Sequence, residues 1–201
     1  MENNTTYTPK SPSSLAESEA KRMLMNPTKL VLWLLIVASV MLFAAFTSAY
    51  IVRRGEGNWQ LFDLPQMFVF TTVFIVLSSF TMQWAYISAK NDKIGNQKIA
   101  LVLTLALGIA FMIGQWLGWE QLVANNIHFV GNPSESFVYV ISGLHLFHMI
   151  GGVVFVLIVL LQSLSLKINS KKMLTIELCK TYWHFLGGMW IYLYVFLLLN
   201  R

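Results

Sequence analysis

Three histidines are the side chains of this sequence best placed to do chemistry in apolar surroundings. His145 and His148 lie three residues apart in SGLHLFHMIGG (142–152), and His184 follows in YWHFLGG (182–188). No charged residue occurs from 136 to 166. An imidazole in such a segment can ligate a metal or haem, relay protons, or donate structural hydrogen bonds between packed helices. The elements that carry the histidines decide among these roles.

The composition indicates a membrane protein. Of the 201 residues 56% are hydrophobic and only 11% are charged, which is more apolar surface than a soluble core of this size needs. The single cysteine, Cys179, excludes a disulfide framework and any zinc or iron–sulfur site built from several cysteines.

Five apolar runs are each long enough to cross a bilayer, which takes about 20 residues of helix. Backbone polar groups in hydrocarbon must be satisfied within the segment, so each run is predicted to be helical. The sequence therefore predicts an all-α, polytopic membrane bundle of five transmembrane helices. The transmembrane domain is residues 29–201, with spans at 30–52, 66–89, 99–119, 137–162 and 181–200.

Residues 1–28 are predicted to form a cytoplasmic tail. Ser14 to Glu17 fits a capping box and predicts a short surface helix that Pro27 would end. The first span follows this polar tail and is longer than the apolar region of a signal peptide, so a cleavable leader is not expected.

The basic residues predict the orientation of the spans. Eleven of the fourteen lysines and arginines fall in the tail and in the loops after the second and fourth spans. Loops rich in lysine and arginine stay on the cytoplasmic side, which puts the N-terminus inside and the C-terminus outside. The net charge of +5 is thus a topology signal, and no nucleic-acid partner is expected.

Depth along the helices argues against one site shared by the three histidines. At about 1.5 Å per residue, His145 and His148 lie about 12 and 16 Å from the outer boundary, on the same side of their helix. His184 lies about 5 Å from the inner boundary, so its depth differs from that of His148 by about 10 Å. A metal–nitrogen bond is only about 2.1 Å long. The favoured interpretation is structural histidines that donate hydrogen bonds across helix contacts.

Small residues near the histidines also favour close helix packing, because they let neighbouring backbones approach in lipid. They occur in three of the spans. These residues are Ser142, Gly143, Gly151, Gly152, Gly108, Gly114, Gly187 and Gly188.

Three segments together resemble a known family. SFVYVISGLHLFHMIGG (136–152) and YWHFLGGMWIYLYVFLLL (182–199) resemble the two histidine-bearing helices of subunit III of the haem-copper terminal oxidases. TLALGIAFMIGQWLGWEQL (104–122) is similar to that subunit's middle helix. The order and spacing agree with the five-helix bacterial form.

The resemblance marks a set of candidate residues for structural, interface or lipid contacts, and no catalytic, cofactor-binding or metal residue. Those candidates are His145, His148, Glu177, Trp183, His184, Gln115 and Glu120. Two positions depart from the family pattern: Ser39 and Gly187 stand where many members have carboxylates. A proton-handling role that depends on those carboxylates is in doubt for this chain.

The resemblance implies a non-catalytic subunit of a bacterial cytochrome c oxidase in aerobic respiratory electron transport. It implies that this chain binds no cofactor, and that haem and copper are held by the partner catalytic subunit I. The expected role is support of stability and proton uptake, partly through bound membrane lipids. The expected location is the bacterial plasma (inner) membrane. Alternatives are subunit III of a quinol oxidase, a haem-b membrane anchor that transfers electrons, and a small transporter.

Overall fold

The computed structural model describes residues 27–165 and 173–200. The tail with its predicted capping box lies outside these residues, as does most of the lysine-rich loop after the fourth span. The predictions made for those segments stay predictions.

Five long helices make up the described chain, and no strand occurs in residues 27–165 or 173–200. All five are long and apolar enough to cross a membrane. The predicted all-α bundle is confirmed, although α3 and α5 begin before the apolar runs that predicted them. The helices are α1 (Pro27–Gly55), α2 (Met67–Lys90), α3 (Ile94–Ala124), α4 (Pro133–Leu164) and α5 (Leu174–Asn200).

The start of α4 shows how local sequence sets a helix end. Asn132 is the N-cap, and its side-chain oxygen accepts hydrogen bonds from the backbone N–H and the hydroxyl of Ser134 at 3.1 and 2.9 Å. Pro133 occupies the first turn, where its fixed φ suits the helix and its missing N–H is no loss. The cap therefore fixes where α4 begins after the α3–α4 loop.

Helices α2, α3, α4 and α5 form a closed set of neighbours, in which α2 contacts α3, α3 contacts α4, α4 contacts α5, and α5 contacts α2. Helix α1 lies against α4 and α5, on the side of the bundle away from α3. His145 lies on α4, between α1, α3 and α5.

Glycines set the closest helix contacts. On α3, a Cβ added at Gly114 would stand 2.5 Å from Cγ2 of Thr71, and one at Gly118 would stand 2.6 Å from the Phe68 ring. Side chains of α2 therefore occupy space that only glycine leaves free. Gly118 was not among the small residues singled out from the sequence.

Two side chains of α5 fill similar spaces beside glycines of α3 and α4. The Trp183 indole lies where a Cβ of Gly108 would be, at 2.7 Å, and Leu186 lies 2.6 Å from a Cβ of Gly152. The packing role predicted for Gly108, Gly114 and Gly152 is confirmed. Gly143, Gly151 and Gly188 admit no such close neighbour.

Candidate functional site: a histidine in an aromatic core

His145 is fully buried and enclosed by aromatic rings from three other helices. Its ring centroid lies 5.3 Å from Trp190 of α5, 5.9 Å from Phe111 of α3 and 6.2 Å from Phe43 of α1. The α4 helix positions the imidazole at the centre of the bundle, where it contacts every neighbour except α2 through a ring. This aromatic core is the most unusual polar environment in the described chain.

The prediction that the histidines donate hydrogen bonds across helix contacts is wrong. Neither nitrogen of His145 has a hydrogen-bond partner among the described residues. His148, half-buried, places Nδ1 2.8 Å from the carbonyl oxygen of Leu144 in its own helix. The physical reason is that phenylalanine and tryptophan, which offer His145 no acceptor, fill the interhelical space. For His148, the carbonyl one turn back is the nearest partner.

The predicted common side of the two histidines is confirmed by Phe43 of α1. This ring lies 6.2 Å from His145 and 5.5 Å from His148, between centroids. One residue of α1 therefore packs against both imidazoles, and it ties the loosely attached first helix to the core.

Indole N–H groups make the cross-helix hydrogen bonds that histidine was expected to make. Each bond runs from a tryptophan Nε1 to a hydroxyl oxygen on another helix at 3.0 Å. Trp183 donates to Ser78, Trp190 to Thr72 and Trp119 to Ser142. Trp183, one of the candidates, is fully buried; it joins α5 to α2 by this hydrogen bond and to α3 by packing against Gly108.

The two candidates on α3 differ in environment. Gln115 is fully buried and donates from Nε2 to Oγ1 of Thr71 at 3.0 Å, which joins α3 to α2. Its Oε1 has no hydrogen-bond partner among the described residues. Glu120 is exposed and accepts a 3.0 Å hydrogen bond from the indole of Trp116 in its own helix. Gln115 is therefore an internal contact, whereas Glu120 belongs to the surface.

Glu177 and His184 are the other two candidates on α5, and both are only half-buried. Glu177 pairs with Lys29 of α1 at 3.0 Å. His184 is half-buried at the edge of a groove of about 370 Å³ between α1 and α5, where Ala44 and Gly188 are also exposed. The structure therefore brings His145 and His148 together and keeps His184 apart. Within residues 27–165 and 173–200, no group of three or more His, Cys, Asp or Glu side chains could hold a metal ion.

The two positions that depart from the family pattern are both tightly packed. Ser39 is buried on α1, and its hydroxyl donates to the carbonyl of Leu35 at 2.8 Å. A Cβ at Gly187 would stand 3.1 Å from Oγ of Ser79 on α2. An aspartate at 187 would therefore require Ser79 to move, so the α2–α5 contact is fitted to the glycine.

Sequence reasoning missed a polar cluster at the end of the bundle that holds the α1–α2 and α3–α4 loops. Besides capping α4, Asn132 donates from Nδ2 to the backbone carbonyl of Asn58 at 2.8 Å, which ties these two loops together. Glu135 is buried beside it and accepts from the backbone N–H of His128 at 3.3 Å. The Asn132-Pro133-Ser134 segment was the available signal, since it is a typical helix start.

Comparison with known proteins gives the arrangement its context. The profile of the family described as Cytochrome c oxidase subunit III matches residues 16–200. This chain belongs to the cytochrome c oxidase subunit III family. Membership identifies it as a subunit of a respiratory terminal oxidase, a multi-subunit complex of the electron transport chain. With five membrane-spanning helices, it is a multi-pass membrane protein.

Individual relatives of this subunit III come from different oxidase types. The "Cytochrome bo(3) ubiquinol oxidase subunit 3" of Buchnera aphidicola subsp. Schizaphis graminum is 25% identical, covering 90% of this chain and 97% of the relative. The "Probable cytochrome c oxidase subunit 3" of Mycobacterium leprae is 26% identical over 82% of both chains. The "Probable quinol oxidase subunit 3" of Staphylococcus saprophyticus is 23% identical over 84% of this chain and 87% of the relative.

Proposed function

We propose that this chain is the non-catalytic subunit III of a bacterial cytochrome c oxidase and packs on the catalytic subunit I. In this role it supports the stability and the proton uptake of the complex, while haem and copper are held by the partner. The family match over residues 16–200 carries the proposal.

The aromatic core supports a structural role for the candidate residues. Trp183 and Gln115 lie inside the bundle and make hydrogen bonds between helices, and His145 packs there against aromatic rings of three helices. His148, His184, Glu120 and Glu177 are at least partly accessible, so these face neighbouring subunits or lipid. With Ser39 and Gly187 in place of carboxylates, support of proton uptake acts through the stability of the complex rather than through acids of this chain.

A quinol oxidase is the second candidate complex. The bo(3) relative favours it, because the match covers nearly the whole length of both chains. Purification of the complex with a tag on this subunit tests both candidates. Oxygen consumption with reduced cytochrome c supports the first, and consumption only with a quinol supports the second.

A mild-detergent pull-down of the tagged chain tests the proposal itself. Haem and copper should be recovered with the partner subunits and should be absent from this chain after it is separated from them. Stoichiometric haem or metal on the separated chain would instead support a haem-b anchor and would overturn the non-catalytic assignment. Substrate flux in vesicles that contain this chain alone would support the transporter.

We further propose the bacterial plasma membrane as its location, with the N-terminus in the cytoplasm. The inner helix ends carry Lys29, Lys90, Lys98 and Lys180, which supports this orientation. A periplasmic reporter fused after Arg201 should be active. Activity of a cytoplasmic reporter at the same position would contradict the orientation.

A further inference from the structure

Polar side chains lie on the outward edge where α2 meets α5, from the inner part of α5 at Lys180 to the middle of α2 at Ser79. The register of the two helices brings them together. A Cβ at Gly187 would be 3.1 Å from Ser79. About two helical turns towards the inner side, Nζ of Lys180 lies 3.9 Å above the ring of Tyr86. Gln83 lies between these two contacts on α2, level with His184 on α5. We name Ser79, Gln83, Lys180 and His184 the α2–α5 polar face.

The polar groups of the α2–α5 polar face have no hydrogen-bond partners in the described chain. All four are half-buried, so each keeps part of its surface exposed. Ser79, Gln83 and His184 make no hydrogen bond to residues 27–165 or 173–200, and Lys180 contacts only the face of the Tyr86 ring there. An amide and an imidazole of this kind are costly against hydrocarbon, because acyl chains offer no hydrogen-bonding group.

The outward side of α3 lacks this property. The exposed side of α3 presents Ile99, Val102, Leu103, Ile109 and Ile113. Such a surface suits lipid acyl chains, and it needs no polar partner. The α2–α5 polar face therefore needs hydrogen-bonding partners that the α3 surface does not need.

We propose that the α2–α5 polar face is the docking site for a transmembrane helix of another subunit of the oxidase. This proposal rests on the proposed function, which supplies the partner complex. The docked helix presents hydrogen-bond acceptors, a carboxylate or an amide, opposite Gln83, His184 and Lys180. The positive charge of Lys180 makes an acidic side chain the best match near the inner end. The close α2–α5 contact at Gly187 keeps the face rigid.

Photo-crosslinking in the intact complex tests the docking site. In one version p-benzoylphenylalanine replaces Gln83, and in the other version it replaces Val102. These positions are about 11 and 12 Å from the inner helix ends at about 1.5 Å per residue, so they match in depth. Position 83 should form adducts with a different oxidase subunit, and position 102 should form adducts with lipid alone.

Retention of the subunit gives a second readout. Gln83→Leu and His184→Leu should each make this chain dissociate from the complex about threefold faster during detergent washing, the factor that corresponds to one average polar contact in a membrane. Val102→Leu should leave retention unchanged. If Gln83→Leu and His184→Leu are retained as well as Val102→Leu, the proposal is overturned.

The outcomes separate this proposal from the proposed function. If the unaltered chain purifies with haem-containing subunits but position 83 yields only lipid adducts, or adducts between two copies of this chain, the docking site is wrong and the proposed function stands. Subunit adducts at position 102 in place of 83 would also overturn the docking site. If no oxidase subunit purifies with the unaltered chain, the proposed function fails first.

Discussion

The α2–α3 contact and the attachment of α1 are built in opposite ways. Between α2 and α3, glycines on one helix receive side chains of the other, so the backbones approach closely. Helix α1 instead touches the bundle along a narrow stripe with three- and four-residue spacing. The buried residues of that stripe are Ile36, Ser39, Phe43, Thr47 and Tyr50.

The difference shows which part of the bundle holds itself together. In lipid, helix association depends on van der Waals packing and hydrogen bonds, because a helix surface has equally apolar surroundings whether it contacts lipid or another helix. Grooves lie beside both regions, of about 440 Å³ between α2 and α3 and of about 880 and 370 Å³ along α1. Side chains of α2 fill the spaces beside Gly114 and Gly118 of α3, whereas no described glycine has a side chain of α1 among its nearest neighbours. We therefore expect α1 to be the first helix to separate when the bundle unfolds.

One residue makes the unfolding of the bundle measurable. Cys179 is the single cysteine of the chain and is 1% exposed. A dye that fluoresces on reaction with thiols therefore reports the unfolding of α5 and its neighbours, in the complex or in the purified chain.

The largest effect is expected from Gly114→Ala in the α2–α3 contact. The added methyl group would meet Cγ2 of Thr71 at 2.5 Å. Thr71 is β-branched and accepts the Gln115 hydrogen bond, so it cannot rotate away freely. Overpacking of this kind should lower the free energy of unfolding by about 1–3 kcal/mol. Gly188→Ala is the control, because its Cβ meets nothing within 4 Å. Equal shifts for the two variants would contradict the packing argument.

His145→Leu should have an effect of the opposite sign. Both imidazole nitrogens are unpaired among the described residues, and a buried unsatisfied polar group costs about 1–3 kcal/mol. Leucine fills a similar volume without that cost, so the dye should react at a higher temperature. Met149→Leu, one turn along the same buried side, should be nearly neutral. A loss of stability specific to His145→Leu would mean that a polar partner, such as a buried water, satisfies the imidazole.

The sequence was sufficient for the all-α bundle because the length and hydrophobicity of a span are properties of a single segment. The aromatic core was not predictable in the same way. Phe43, Phe111 and Trp190 come from three spans, and only the rotation of each helix about its axis brings them to His145. Spacing along the chain does not set that rotation. The common side of His145 and His148 depends on one helix alone, and that prediction was correct.

A smaller effect is expected from Thr47→Val, which removes a hydroxyl of α1. Oγ1 of Thr47 lies 3.2 Å from the hydroxyl of Tyr192 on α5. Polar contacts between membrane helices average about 0.6 kcal/mol, so the stability should fall by about that amount. Tyr192→Phe should lower it similarly, and the double variant should cost no more than either one. Additive losses would show that the two hydroxyls act independently.

The smallest effect is expected from the ion pair between Lys29 of α1 and Glu177 of α5. The Nζ and Oε1 atoms are 3.0 Å apart, but the two side chains remain 39% and 41% exposed. Solvent screens such a pair, so Glu177→Gln should cost at most about 0.5 kcal/mol. High salt should reduce the difference between Glu177→Gln and the unaltered chain, because added ions weaken the native pair. Arg53→Gln is the control, since Arg53 pairs with Glu56 close by in sequence and links no two helices. A salt-independent loss larger than that of Thr47→Val would show that this contact, rather than the buried stripe, holds α1 to the bundle.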